Sequence, residues 1–180
     1  MNDVAFYLTR SSGIVAALLL VAALLWGFLF SSRATGKRLR PNWWLDLHNW
    51  LGGLALVFTI IHIVFSLLDS NSGITLLRAL VPGARGDGQW AITWGVISTY
   101  ALVAVVFTTW PKRMTNRRWW RIIHLVSVPA TALAFLHAYQ SGSDASRSVF
   151  QIGMLIAAAV ATYGLGLRLS TLRPIRRSAD

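Results

Sequence analysis

The stretch "WWLDLHNWLGGLALVFTIIHIVFSLL" (43–68) carries two histidines, His48 and His62, inside a run that is otherwise almost wholly apolar. The chain has four histidines in all; the other two, His124 and His137, lie in a second apolar run, "WWRIIHLVSVPATALAFLHAY" (119–139). Every imidazole of the protein therefore sits in one of two long apolar segments. A bilayer-spanning helix needs roughly 20 predominantly apolar residues, and both runs reach that length.

Outward from these two, the same criterion picks out three further segments. The full set is about 13–31, 44–68, 90–110, 119–139 and 149–169. A chain of 180 residues that is 55% hydrophobic and 13% charged is too apolar, in runs too long, for an ordinary soluble domain. Trp43, Trp44, Trp90, Trp110, Trp119 and Trp120 stand at segment ends, where an aromatic belt lies in membrane proteins. The first segment is longer than a secretory h-region and its leader is not basic, so it reads as a retained helix. The expectation is a single all-α domain over 1–180, an integral membrane bundle of five transmembrane helices. The absence of cysteine excludes disulfides, iron–sulfur clusters and thiolate metal sites.

A net charge of +11 invites a nucleic-acid reading, but its distribution favours membrane topology. Arg33, Lys37, Arg38 and Arg40 follow the first segment, and Lys112, Arg113, Arg117 and Arg118 follow the third. Arg173, Arg176 and Arg177 follow the fifth. The alternate connections hold Arg10, Arg78, Arg85 and Arg147, set against Asp3, Asp69, Asp87 and Asp144. The positive-inside rule then places the N-terminus outside and the C-terminus in the cytoplasm, as five crossings require. The chain is expected in the cell membrane as a multi-pass protein surrounded by lipid, with no nucleic-acid partner.

The longest connection is "DSNSGITLLRALVPGARGDGQ" (69–89). Its "ITLLRALV" piece is too short to span and reads as a surface helix at the outer interface. Pro82-Gly83 and Gly86-Asp87-Gly88 end it and turn the chain.

His48 and His62 are 14 residues apart, and His124 and His137 are 13 apart. At 1.5 Å per residue each pair spans roughly 20 Å along its helix. The two segments run in the same direction, because one span separates them. His48 and His124 therefore share a depth near the cytoplasmic face, and His62 and His137 share one near the outer face. Buried histidines that merely hydrogen-bond between helices are the plain alternative. Four of them, confined to two helices and matched in depth, argue for function instead. A single metal ion is a poor fit, since no carboxylate or thiolate joins histidines so widely spaced. A haem fits better: its iron takes an imidazole on each face, and two pairs make two haems. With both axial positions filled, such a haem passes electrons rather than activating a ligand. One detail strains the pattern. Fourteen residues return to nearly the same helix face, whereas thirteen leave His137 about 140° from His124. Pro129 lies between them and lacks an N–H for the carbonyl of Leu125, so a kink there would re-aim His137.

"RRWWRIIHLVSVPATALAFLHAY" and "DLHNWLGGLALVFTIIHI", with their 13 and 14 spacings, resemble the ferric reductase/NADPH oxidase transmembrane domain. The resemblance covers roughly 8–168, and the histidine pattern is its specific part. It implies two b-type haems between two helices, with His48 and His124 as ligands of the inner haem iron and His62 and His137 of the outer. Larger members of that family have six helices and carry the histidines on the third and fifth. Here they fall on the second and fourth, as if the first helix were missing. Those members also continue into a cytoplasmic flavin and nicotinamide domain. About ten residues follow the last span here, so no flavin is expected in this chain. Gly164-Leu-Gly166 lies within a membrane segment and is no dinucleotide fingerprint.

Several neighbours of the histidines are candidates beside them. Gly52 and Gly53, one turn past His48, would admit a porphyrin edge or simply serve close helix packing. Arg10 stands where family members carry an arginine near the outer haem, and reads as a propionate partner or a snorkelling anchor. Arg121, three residues before His124, is a candidate for an inner propionate. Trp50 and Trp94 read mainly as packing residues.

The expected function is a membrane di-haem cytochrome b relaying electrons from a cytoplasmic-side donor, a separate flavoprotein or a quinol, to an external acceptor. It would be the electron-transfer subunit of an oxidoreductase. The alternatives are a cytochrome b anchor of a dehydrogenase or hydrogenase, and a haem-free scaffold or transporter.

Overall fold

The computed structural model describes residues 2–32, 41–109, 116–142 and 144–170. Among them seven helices form and no strand does: α1 Asn2–Ser32, α2 Pro41–Leu68, α3 Leu76–Leu80, α4 Gln89–Thr109, α5 Arg117–Leu125, α6 Ser127–Ser141 and α7 Ser148–Ser170. Five stretches are long and apolar enough to cross a membrane: Val4–Ser32, Asn42–Leu68, Gln89–Thr109, Arg117–Ser141 and Ser148–Leu167. The protein is thus an all-helical, multi-pass membrane protein. Trp110 and the basic residues Arg33, Lys37, Arg38, Arg40, Lys112, Arg113, Arg173, Arg176 and Arg177 lie outside the described residues.

The first span begins earlier than the apolar run suggests. Thr9 to Ser12 look like a polar interruption in the sequence, but the two serine hydroxyls turn back onto the helix: Ser12 Oγ donates to the Thr9 carbonyl at 3.1 Å and Ser11 Oγ to the Leu8 carbonyl at 3.4 Å. A hydroxyl that bonds its own preceding turn carries no unsatisfied donor into the apolar layer, so α1 continues through them.

α1 lies between α2 and α7 and also touches α6; α4 packs mainly on α6 and secondarily on α2. The interfaces mix small side chains with a few large ones such as Phe28, Trp44 and Leu102. Ala16, Ala23, Ala55, Ala91 and Ala130 are buried, whereas Leu18, Leu68, Leu125, Val149 and Leu155 are exposed. This arrangement suits a lipid surround: leucine gains nothing by leaving hydrocarbon, and small residues let helix backbones approach. Ser98 Oγ donates to the Ala130 carbonyl at 2.8 Å and so joins α4 to α6. On α7, Gly164 admits Phe28 of α1, whose ring would lie 2.8 Å from a Cβ placed there.

The fourth span is broken at Val126 into α5 and α6. Val126 N–H bonds to the Ile123 carbonyl at 3.1 Å, a tightened i−3 turn in place of the regular i−4 bond. The cause is Pro129, which lies in the first turn of α6. Its ring excludes the carbonyl of Leu125 and it offers no N–H, so the distortion falls in the residues just before it.

The 69–89 connection holds α3, with Thr75 as its N-cap. Gly73, Gly83, Gly86 and Gly88 all take positive φ, and of these Gly86, at 147°, lies in a region open essentially to glycine alone. α3 rests on α4 and α2. Tyr100, three turns into α4, donates to the carbonyl of Leu80.

Candidate functional site: two imidazole pairs

The break at Val126 resolves the mismatch of 13 against 14. His124 ends up on α5 and His137 on α6, and each faces a histidine of the unbroken α2. The rings of His48 and His124 are 5.8 Å apart between centroids, with planes at 61°. Those of His62 and His137 are 6.1 Å apart, at 77°. α2 shares no extensive backbone packing with α5 or α6. The histidines therefore meet across a gap between helices rather than within a helix contact.

Three of the four rings are tied to a neighbouring helix in the same way. Nδ1 of His48 lies 3.1 Å from the Ala23 carbonyl, and Nδ1 of His62 lies 2.8 Å from that of Thr9. Nδ1 of His137 lies 2.8 Å from the carbonyl of Ala91, with Ser141 Oγ a further 3.2 Å neighbour. A carbonyl can only accept, so in each case Nδ1 carries the proton and Nε2 keeps its lone pair. That is the tautomer in which an imidazole ligates a metal through Nε2. His124 differs. Its Nδ1 is buried with no hydrogen-bond partner among the described residues, and Trp120, one turn earlier, stacks on its ring at 4.9 Å and 21°.

Among the described residues no three His, Cys, Asp or Glu side chains converge; each cluster is a pair of imidazoles. Metal–imidazole bonds of about 2.0–2.1 Å place the centroids of two trans imidazoles roughly 6 Å apart. Both pairs have that spacing. Two neutral nitrogen donors per layer, and no third ligand, suit an ion whose remaining positions are supplied by a planar macrocycle.

The other candidates separate. A Cβ at Gly52 or Gly53 would meet nothing within 4 Å, so these positions leave open space one turn past His48. Arg10 forms an ion pair with Asp144, in the turn between α6 and α7, and Arg147 pairs with the same carboxylate at 3.0 Å. Arg121 is exposed and makes no hydrogen bond or ion pair among the described residues. Trp94 stacks on Trp90 at 6.0 Å, in keeping with a packing role; Trp50 is largely exposed on α2. Sequence reasoning missed the glycines. Gly13 and Gly27 of α1 are 14 residues apart, as are His48 and His62 on the antiparallel α2. That matched spacing was the available signal.

Five helices long and apolar enough to cross a membrane, with imidazoles paired in two layers between them, define a multi-pass membrane protein with two candidate ligand sites. The family model described as "Ferric reductase like transmembrane component" matches residues 12–135, and the chain belongs to that family. His48, His62 and His124 fall inside the matched span; His137 lies two residues beyond it. Arg10 lies two residues before it. No curated protein and no solved structure matches the chain. Membership supports a role in membrane electron transfer and, since such domains generally bind haem, a haem-binding one.

Proposed function

We propose that the chain is a di-haem cytochrome b of the cell membrane, with the N-terminus outside and the C-terminus in the cytoplasm. His48 and His124 would hold an inner b-type haem and His62 and His137 an outer one. Electrons would pass from a cytoplasmic-side flavoprotein or quinol, through the two sites, to an external acceptor. The observation that carries this reading is the pairing of all four imidazoles, at 5.8 and 6.1 Å, across a gap that the helix backbones leave open.

A bis-imidazole haem supplies a one-electron couple with no free iron position. The chain's residues do the rest. α2 is unbroken and presents both of its histidines on nearly one face. The turn at Val126 aims the two partners separately. The Nδ1 bonds of His48, His62 and His137 hold three of the four rings in the ligating tautomer. The open space beside Gly52 is room for a macrocycle edge. Arg121, and Arg10 beside its ion pair with Asp144, would be candidate cations for carboxylate substituents at the inner and outer ends.

The test is a reduced-minus-oxidised visible spectrum of the purified chain, with a pyridine haemochrome assay against protein concentration. A sharp b-type band and a ratio near two haems per chain are expected. No such band in protein purified from a haem-sufficient host would overturn the reading. A ratio near one in fully loaded protein would remove one of the two pairs.

A further inference from the structure

The glycines of α1 and α4 are not scattered. α1 contains Gly13 and Gly27, and α4 contains Gly95. All three face an imidazole. A Cβ on Gly13 would lie 2.9 Å from Nδ1 of His62, one on Gly27 3.2 Å from Cε1 of His48, and one on Gly95 2.9 Å from Nδ1 of His137. The carbonyl that each of these histidines reaches belongs to the residue four before the glycine: Thr9 before Gly13, Ala23 before Gly27, Ala91 before Gly95. One arrangement is repeated three times on two helices.

Helix geometry explains it. A helical Cα–Cβ bond tilts toward the N-terminus, so the side chain at i+4 lies over the carbonyl of residue i. That carbonyl already accepts the N–H of residue i+4 and has a second lone pair. Only glycine at i+4 uncovers it to a side chain from another helix. By contrast Gly153 and Gly166 of α7 would meet nothing within 4 Å, so close approach to an imidazole is no general property of the chain's helical glycines.

We propose that Gly13, Gly27 and Gly95 are positioning residues, each opening a carbonyl seat that fixes the tautomer and orientation of His62, His48 and His137 respectively. His124 has no seat and is held instead by Trp120. The two layers are therefore unequal: both outer imidazoles are seated and only one inner imidazole is. The consequence for iron rests on the haem reading above. A hydrogen bond from Nδ1–H makes the imidazole more basic and favours the ferric state. Closing a seat raises the potential of that layer alone.

The first test needs neither haem nor a variant. In full-length protein labelled with ¹⁵N in histidine, three imidazoles should be Nδ1–H tautomers with a hydrogen-bonded, slowly exchanging proton, and one should lack that bond. The spectrum is read on haem-free protein or on the dithionite-reduced, diamagnetic form, so it stands apart from the haem reading. Four equivalent imidazoles, or an Nε2–H tautomer at His62, His48 or His137, would overturn the proposal. The second test is a redox titration of alanine variants. Gly13→Ala and Gly95→Ala should each shift upward, or lose, the component that His62→Ala removes. Gly27→Ala should act on the other component, and Gly153→Ala and Gly166→Ala on neither. Equal shifts of both components in all three seat variants would mean general helix packing and reject the seats. Where a variant does not accumulate, the labelled wild-type spectrum decides alone.

Discussion

Trp26 and Trp44 hold each other reciprocally: their rings stack at 4.1 Å, and each indole N–H donates to the other residue's carbonyl, at 3.1 Å from Trp26 and 3.3 Å from Trp44. Trp43 adds edge contacts to both rings. The clasp fixes α1 against α2 one turn before His48 and beside Gly27, so it sets the register in which that histidine meets its carbonyl. Trp44 is almost fully buried. Trp44→Ala should destabilise the protein by about 3–5 kcal/mol, the usual range for emptying a large aromatic site. Trp44→Phe keeps a ring and removes one hydrogen bond, which costs on the order of 1 kcal/mol plus whatever the freed carbonyl loses. Thermal unfolding in detergent checks the order, and the inner haem should leave before the outer. Equal losses for the two substitutions would assign the clasp to hydrogen bonding alone.

The histidine pairs make a sharper demand. On the di-haem reading, His48→Ala and His124→Ala should remove the same component in a redox titration, because the two residues would ligate one iron. His62→Ala and His137→Ala should remove the other. The four variants would then fall into two classes by spectrum as well as by potential. Different components lost in His48→Ala and His124→Ala would contradict the pairing across the gap.

Much of this was legible in the sequence, because a bilayer constrains it so strongly. Length and apolarity alone mark five spans, and four imidazoles in two of them mark the candidate site. What was not legible depends on atoms brought close by tertiary contact. The break at Val126 was itself legible, since Pro129 has no N–H for the Leu125 carbonyl; the ring partners it sets up were not. Arg10 could be read as a haem partner or an anchor; its carboxylate partner, Asp144, lies 134 residues away and has no sequence signature. The carbonyl seats involve main-chain atoms, which are the same at every position. Only the glycines betray them, and only once their spacing is set against that of the histidines on the opposing helix.

The Arg10–Asp144 pair ties α1 to the turn after α6, next to Thr9, whose carbonyl accepts the Nδ1–H of His62. Arg10 is about one-third exposed, so the ion pair is a modest stabiliser, on the order of 0.2–1 kcal/mol after screening. Arg10→Ala and Asp144→Asn should each destabilise slightly, and the double variant should cost less than the sum of the two. If Arg10 also serves an outer carboxylate substituent, Arg10→Ala should move the outer component's potential while Asp144→Asn moves it far less. Thermal unfolding and redox titration of the four members of the cycle separate the two roles. Identical potential shifts in both single variants would leave Arg10 with the ion pair alone.

In the 69–89 connection the Arg78 side chain turns back onto its own segment. Arg78 Nη1 donates to the Gly73 carbonyl at 2.7 Å and Nη2 to that of Asp87. The guanidinium lies so close to Gly86 that a Cβ there would come within 2.8 Å of it. The arginine therefore joins the two ends of the segment around α3, and Gly86 is required both by its φ of 147° and by the closeness of that contact. Removing the side chain releases two main-chain carbonyls to solvent and leaves three positive-φ glycines, Gly83, Gly86 and Gly88, without a brace. Arg78→Ala should open the segment to limited proteolysis between 83 and 88, at a rate several-fold above wild type, while both haems stay bound and reducible by dithionite. Arg78→Lys keeps the charge but cannot reach two carbonyls in a fixed fork, so it should resemble alanine rather than wild type. If the segment also controls access to the outer haem, reoxidation by external acceptors will change in both variants together. Proteolysis that rises while reoxidation stays constant across several acceptors would make the segment a braced connector with no part in gating. Wild-type protease resistance in Arg78→Ala would refute the brace itself.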